Sequence, residues 1–147
     1  MKYLKHHFNF LLLLFLPIIA LGCSVKFIAD YDEATDKLVT ELQRKMEYFF
    51  LDLEYKFGTP DAEYENYIEF YKEIKTDLKL LELRASALPQ NEITIKQVKL
   101  VQKNLLLFEE IHIEGLDDMI FIKEPRKDFT VAFINILKLE LAKKRGE

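Results

Sequence analysis

The 147-residue chain has one cysteine, no tryptophan, four glycines and four prolines. A single cysteine excludes a disulfide within the chain, because there is no second thiol to pair with it. Scarce glycine and proline, with abundant Leu, Lys and Glu, are typical of helical proteins rather than of β-sandwiches or barrels. The chain also lacks a Gly-rich phosphate loop and a Ser-His-Asp set. The composition therefore predicts an all-α protein and offers no catalytic motif.

The charge balance excludes one class of partner. Asp and Glu number 25 and Lys and Arg number 21, which gives a net charge of −4. Proteins that bind nucleic acids rely on Lys and Arg to neutralise phosphates. We therefore expect no nucleic acid among the partners.

The N-terminus has the three parts of a secretory signal. Lys2 and Lys5 supply the positive start, residues 8–16 are apolar, and small residues follow at Ala20 and Gly22. The whole apolar run is shorter than the roughly 20 residues that a membrane-spanning helix needs. A cleaved signal peptide is the interpretation that fits this pattern.

Residues 19–23 (IALGC) resemble the bacterial lipobox, at which a lipoprotein signal peptidase cuts. The resemblance implies cleavage between Gly22 and Cys23 and a diacylglyceryl group on the Cys23 sulfur. Two or more acyl chains on one residue make a lasting anchor, whereas a single chain binds only marginally. Ser24 after the cysteine, rather than Asp, favours the outer membrane and a domain facing the periplasm. The alternative is an uncleaved anchor in which Cys23 is a buried structural thiol.

This interpretation divides the chain into three parts. We expect a signal peptide at residues 1–22, a lipidated tether at 23–27 and one helical domain at 28–147. Apolar residues recur at steps of three and four along the domain, which is the spacing of one helix face. The predicted helices cover residues 28–57, 60–88, 92–114 and 125–145. Short connections predict antiparallel neighbours, and hence an up-down-up-down four-helix bundle.

Two stretches resemble a known family. They are residues 22–32 (GCSVKFIADYD), with Thr35 and Asp36 following, and residues 137–145 (LKLELAKKR). Both are similar to a family of small uncharacterised Gram-negative bacterial lipoproteins, in which a lipobox cysteine precedes a helical domain. The resemblance implies the anchor and the helices. It implies no catalytic residues.

Glu109 and His112 form a Glu-x-x-His pair, the spacing of inward ligands in di-iron four-helix bundles. A complete di-iron site needs a second such pair, and His112 is the only histidine after the predicted cleavage point. We expect His112 to be a core-edge histidine near the helix end. A one-histidine metal site is the alternative. No metal or other cofactor is predicted.

Asp32 and Asp36 place two carboxylates on one flank of the first helix. Paired carboxylates perform acid–base chemistry when their pKa values differ. They also favour a helix start, where the helix dipole attracts negative charge, and we prefer that interpretation. In the fourth helix, we expect Glu140 to pair with Lys144, four residues on.

The candidate partner surface combines an apolar loop with the second apolar side of the fourth helix. Ten of the fourteen residues from 129 to 142 are apolar, more than one buried stripe requires. The surface comprises Met119, Ile120, Phe121, Ile122, Ile134, Leu137 and Leu141. The alternatives are that the loop folds back over the bundle end, and that the helix face is buried or forms a homodimer seam.

Three functions remain open at this point. The first is a non-enzymatic lipoprotein, anchored in the membrane and facing the periplasm, that docks a protein of the cell envelope. The second is a small-molecule or lipid-binding helical bundle whose aromatic residues line a cavity. The third is an enzyme that uses Asp32 and Asp36.

Overall fold

The computed structural model describes residues 28–146. The predicted signal peptide of residues 1–22 and the tether of 23–27, with Cys23, lie outside the described residues. The described part contains no β-strand and has four α-helices, so the predicted all-α class is confirmed. The helices are α1 (Glu33–Lys56), α2 (Ile68–Ala87), α3 (Glu92–Glu114) and α4 (Ile120–Arg145).

Each helix packs on its neighbours in sequence, and α1 also packs on α4. The resulting core is apolar, and Phe49, Phe50, Tyr71, Phe108 and Phe133 are its largest members. Within residues 28–146, no helix has the length and hydropathy required to cross a membrane.

Helix α1 begins at Glu33 rather than at the predicted residue 28. Asp32 adopts an extended backbone and caps the helix, accepting a hydrogen bond from the Thr35 amide at 3.0 Å. The same carboxylate oxygen accepts from the Thr35 hydroxyl at 2.5 Å. The apolar spacing upstream of Asp32 misled the prediction, because a side-chain cap fixes the helix start whatever residues precede it.

The segment predicted as the start of the second helix contains two 3₁₀ turns instead. They cover Pro60–Ala62 and Tyr64–Tyr67, and α2 follows at Ile68. Glu63 is extended, with φ −69° and ψ 148°, and this interrupts the helical path. The Pro60 carbonyl accepts bonds from the Glu63 amide at 3.2 Å and the Asn66 side chain at 3.0 Å, which hold the break.

The third helix matches the predicted residues 92–114, and Gly115 ends it with a positive φ of 109°. The predicted loop at residues 116–124 is wrong in its second half, because α4 begins at Ile120. Asp118 accepts a hydrogen bond from the Ile120 amide at 2.9 Å and supports this start. Pro125 lies inside the helix rather than in its first turn. At this position the proline has no N–H to donate to the Phe121 carbonyl, so the helix lacks one backbone hydrogen bond there.

Candidate functional site

His112 is buried near the end of α3 and bonded through both ring nitrogens. Nε2 lies 2.8 Å from the Ala62 carbonyl, and Nδ1 lies 2.8 Å from the Tyr71 hydroxyl. A carbonyl only accepts, so Nε2 carries the proton and Nδ1 of the neutral ring accepts from Tyr71. Burial lowers the pKa of His112 and raises that of Tyr71 above its usual range. His112 therefore joins three segments of the core as a neutral ring.

The Glu109 side chain forms its hydrogen bonds with residues other than His112. Its carboxylate accepts from the Lys75 ammonium at 2.8 Å and 2.5 Å through its two oxygens, and from the Tyr64 hydroxyl at 3.2 Å. Among residues 28–146, no group of three or more His, Cys, Asp or Glu side chains is placed to hold a metal ion. The Glu-x-x-His pair therefore serves two separate hydrogen-bond networks.

Aromatic rings surround His112 and fill the interior. Phe49 stacks on Phe70 with ring centroids 4.0 Å apart, and meets Tyr71 and Phe108 edge-on at 5.6 Å and 5.9 Å. The rings that would line an internal ligand cavity thus pack against one another. A shallow pocket of about 290 Å³ lies outside this cluster, beside Tyr64 and His112.

Asp32 and Asp36 are engaged in structural contacts. Asp32 accepts from the Arg84 guanidinium at 2.5 Å and 2.7 Å, and this pair holds the pKa of Asp32 well below its usual range. Asp36 accepts from the Tyr31 hydroxyl at 2.8 Å, which raises the pKa of Tyr31 to about 12. Asp32 caps α1 and joins it to α2, while Asp36 holds Tyr31 just ahead of the helix, so both carboxylates act at the helix start, as that interpretation expects.

Substituting Asp32 tests this structural role. We expect Asp32→Ala to lower the free energy of unfolding by about 1–2 kcal/mol, because the helix loses its cap. Glu33→Ala, the matched control, removes exposed attractions to Lys37 and Lys144 and should cost much less than Asp32→Ala. Urea titrations of both variants would measure the difference, and equal losses would contradict the role given to Asp32.

Glu140 is fully buried and pairs with Lys143 rather than with the predicted Lys144. The Lys143 ammonium lies 2.5 Å from Glu140, 2.7 Å from the Asn91 amide oxygen and 3.0 Å from the Thr94 hydroxyl. The prediction failed because Asn91 and Thr94, at the start of α3, hold the Lys143 ammonium inside the bundle. Lys144 lies instead 5.0 Å over the Tyr31 ring.

Only part of the predicted partner surface is exposed. Ile122 is fully buried and is removed from it, while Met119 and Leu137 are half-buried against the core. This outcome follows from the early start of α4, which turns Ile122 inward. Four residues of the predicted set are exposed: Ile120, Phe121, Ile134 and Leu141.

A groove of about 680 Å³ lies between α1 and α4. Arg126 bridges it, since its guanidinium bonds Glu54 at 2.8 Å and Glu47. The remaining lining comprises Gln43, Lys123, Lys127, Thr130 and Val131. Sequence reasoning missed the groove, because residues of α1 and α4 are some 80 positions apart and no spacing pattern connects them.

No protein-family model, curated protein or solved structure matches this chain. The function must therefore be inferred from its own residues. The groove and the exposed side of α4 are two features that packing of the bundle does not use.

Proposed function

We propose that the protein is a lipid-tethered interaction module of the cell envelope, without enzymatic activity. The signal sequence and the lipobox-like residues 19–23 support the tether, which acyl chains on Cys23 would provide. Ser24 supports placement in the outer membrane, facing the periplasm. Only four residues lie between Cys23 and Ile28, so the helical domain would stay close to the membrane.

We further propose the up-down-up-down arrangement of the four helices. In each case, a residue near the end of one helix bonds a residue near the start of the helix before it. The three bonded pairs are Asp32–Arg84, Tyr71–His112 and Asn91–Lys143. Such crossed pairs are what antiparallel neighbours produce.

The observation that carries the docking role is the exposed side of α4. Val131, Ile134 and Leu141 are 56%, 38% and 47% exposed, although they are large apolar side chains on one helix. The same helix has seven Lys or Arg and three Asp or Glu, a net charge of +4 in a chain of −4. An apolar strip in a basic setting favours a partner that is both apolar and acidic.

The partner of this chemistry is an acidic amphipathic helix. Its apolar residues, at steps of three and four, would lie across Val131, Ile134 and Leu141 beside the groove. Its carboxylates would meet Lys123 and Lys127, which line the groove wall. The Arg126 bridge to α1 fixes the shape of that wall before binding.

A second candidate is a small-molecule or lipid-binding bundle. The groove volume, about 680 Å³, falls within the range of small-ligand sites. An anionic amphiphile would place its head group near Lys123 and Lys127. A rise in Tm with a fatty acid, lost in Val131→Glu, would favour this candidate over protein docking.

The tether and the docking surface need separate tests. Growth with a labelled fatty acid should label the wild-type chain and leave Cys23→Ser unlabelled and larger by an uncleaved signal peptide. Labelling of Cys23→Ser would contradict the tether. The labelling test does not involve a partner, so its result can contradict the tether without contradicting the docking surface.

Substitutions on α4 test the docking surface. We expect Ile134→Glu and Leu141→Glu to reduce the yield of a cross-linked complex in native envelopes by about tenfold or more, since a charge would replace an apolar contact. Leu83→Glu is the matched control, because Leu83 is 56% exposed on α2, which packs on α1 and α3. Equal yields from all three variants would contradict docking on α4.

A further inference from the structure

Helix α3 carries a second row of exposed apolar residues. Ile93, Leu100 and Leu107 are 51%, 46% and 49% exposed and follow one another at intervals of seven. The half-buried residues Gln97, Asn104 and Ile111 alternate with them, each four positions after one of the three. We call these six residues the α3 seam. It runs along nearly the whole helix, on a side that the bundle leaves open.

The α3 seam has the spacing of a coiled coil. Steps of four and three keep one narrow strip facing a second helix, as in heptad repeats. Leu100 and Leu107 occupy one of the two seam positions, and Ile111 and Asn104 occupy the other. Gln97 and Asn104 place two amide side chains at this second position, where polar residues set register at some cost in stability.

Charges beside the α3 seam reverse sign along the helix. Lys96 and Lys103 flank its first two-thirds, and Glu110 flanks its last third, each seven residues from the next. All three side chains are exposed, and none forms an ion pair with another residue of the described chain. A second α3 in the opposite direction would bring Lys96 of each copy to Glu110 of the other. A second α3 in the same direction would set basic halves side by side.

We infer that the chain forms a two-fold symmetric dimer in which the α3 seams of two copies pack antiparallel. The register aligns Ile93 of one copy with Ile111 of the other, and Leu100 with Asn104. Two Lys96–Glu110 pairs then flank the seam, one at each end, and together they outweigh the single approach of Lys103 to its own copy at the two-fold axis. The surface is self-complementary, which a two-fold interface requires.

This dimer is built on residues other than those of the α4 docking surface. It does not depend on the proposed function, because it uses α3 residues alone. The two-fold axis is perpendicular to the helices, so the Glu33 starts of both α1 helices lie at the same height along it. Two tethers could thus reach one membrane with the helices lying along its surface.

Sedimentation velocity of the full chain in detergent, over a dilution series, measures the dimer. We expect a concentration-dependent dimer whose Kd rises about tenfold or more in Leu100→Glu. Lys96→Glu alone should raise the Kd about fivefold, and Lys96→Glu with Glu110→Lys should restore it to within about twofold. Ile113→Glu, an exposed α3 position outside the seam, is the control and should leave the Kd unchanged.

Cysteine cross-linking tests the direction. Ile93→Cys with Ile111→Cys should give a disulfide-linked dimer, whereas Ile93→Cys alone should not, because its two copies lie about 27 Å apart in the antiparallel pair. The parent chain, which retains Cys23, gives the baseline. A cross-link through Ile93→Cys alone would overturn the antiparallel pair. A monomer at every concentration, or an unchanged Kd in Leu100→Glu, would overturn the dimer itself.

Discussion

Replacing His112 with alanine is expected to lower the free energy of unfolding by about 3–5 kcal/mol. The change leaves a cavity between the rings of Phe49 and Tyr71 and removes the partners of the Tyr71 hydroxyl and the Ala62 carbonyl. Each of those groups is buried, and an unpaired buried polar group costs about 1–3 kcal/mol. Thermal and urea unfolding measure the loss. A loss below about 1 kcal/mol would show that the ring does not hold the three segments together.

The same ring makes stability depend on pH. Burial lowers the pKa of His112 in the folded state, so the unfolded chain binds this proton more readily. The stabilisation is complete above the unfolded pKa of about 6.5 and is lost as the pH falls below it, by up to about 1.4 kcal/mol per pH unit. We expect the Tm of the wild type to fall between pH 7 and pH 5, and that of His112→Gln to change less.

The effect of His112 on stability falls in a different pH range from that of the carboxylates. The lowered pKa of Asp32 stabilises the fold above its unfolded pKa of about 3.8, and that contribution is lost only at lower pH. A wild-type Tm that stays constant from pH 7 to pH 5 would contradict the buried neutral state of His112. Equal slopes in wild type and His112→Gln would assign the pH dependence to another group.

The second large effect is expected at the buried pair of Glu140 and Lys143. Lys143→Ala should lower the free energy of unfolding by about 3–5 kcal/mol, because it leaves the Glu140 carboxylate buried without its cation. Lys144→Ala is the matched control on the neighbouring residue. It removes a cation–π contact with Tyr31 and a surface attraction to Glu33, and should cost less than about 1 kcal/mol.

A double substitution separates the cost of a broken pair from the value of an intact one. Glu140→Leu with Lys143→Leu should recover most of the stability lost in Lys143→Ala, since a buried pair is often replaceable by apolar residues of similar size. The expected coupling between the two positions is about 1–3 kcal/mol. Additive losses in the double-mutant cycle would contradict a direct interaction. The cycle compares the wild type, Glu140→Leu, Lys143→Leu and the double variant by urea titration at pH 7.

Helix content and the bounds of α3 could be predicted from the sequence, because apolar periodicity and a terminal glycine act locally. The starts of α1 and α4 could not. Asp32 caps α1 through its side chain, and Asp118 supports a start five residues before Pro125. At α1 the apolar pattern continues upstream of the true helix start. At α4 the proline, which was expected in the first turn, lies inside the helix. The sequence pattern alone therefore misplaces both helix starts.

The partners of polar residues were harder to predict than the helices. Spacing favoured Lys144 for Glu140, but Asn91 and Thr94 on another helix select Lys143. Likewise, Glu109 and His112 share a ligand-like spacing and bond separate groups. The partner of a polar side chain depends on which groups of other helices the packing brings within reach. Residue spacing along one helix does not contain that information.

The exposed side of α4 as a docking surface is tested most directly by a photo-reactive phenylalanine analogue at Ile134 in the full chain. We expect irradiation of native envelopes to yield a discrete cross-linked species at position 134 and none at the exposed control position Leu83 on α2. The 134 species should disappear when Leu141→Glu is added, because the apolar strip is then interrupted. No cross-link at 134, or the same species at both positions, would contradict the account.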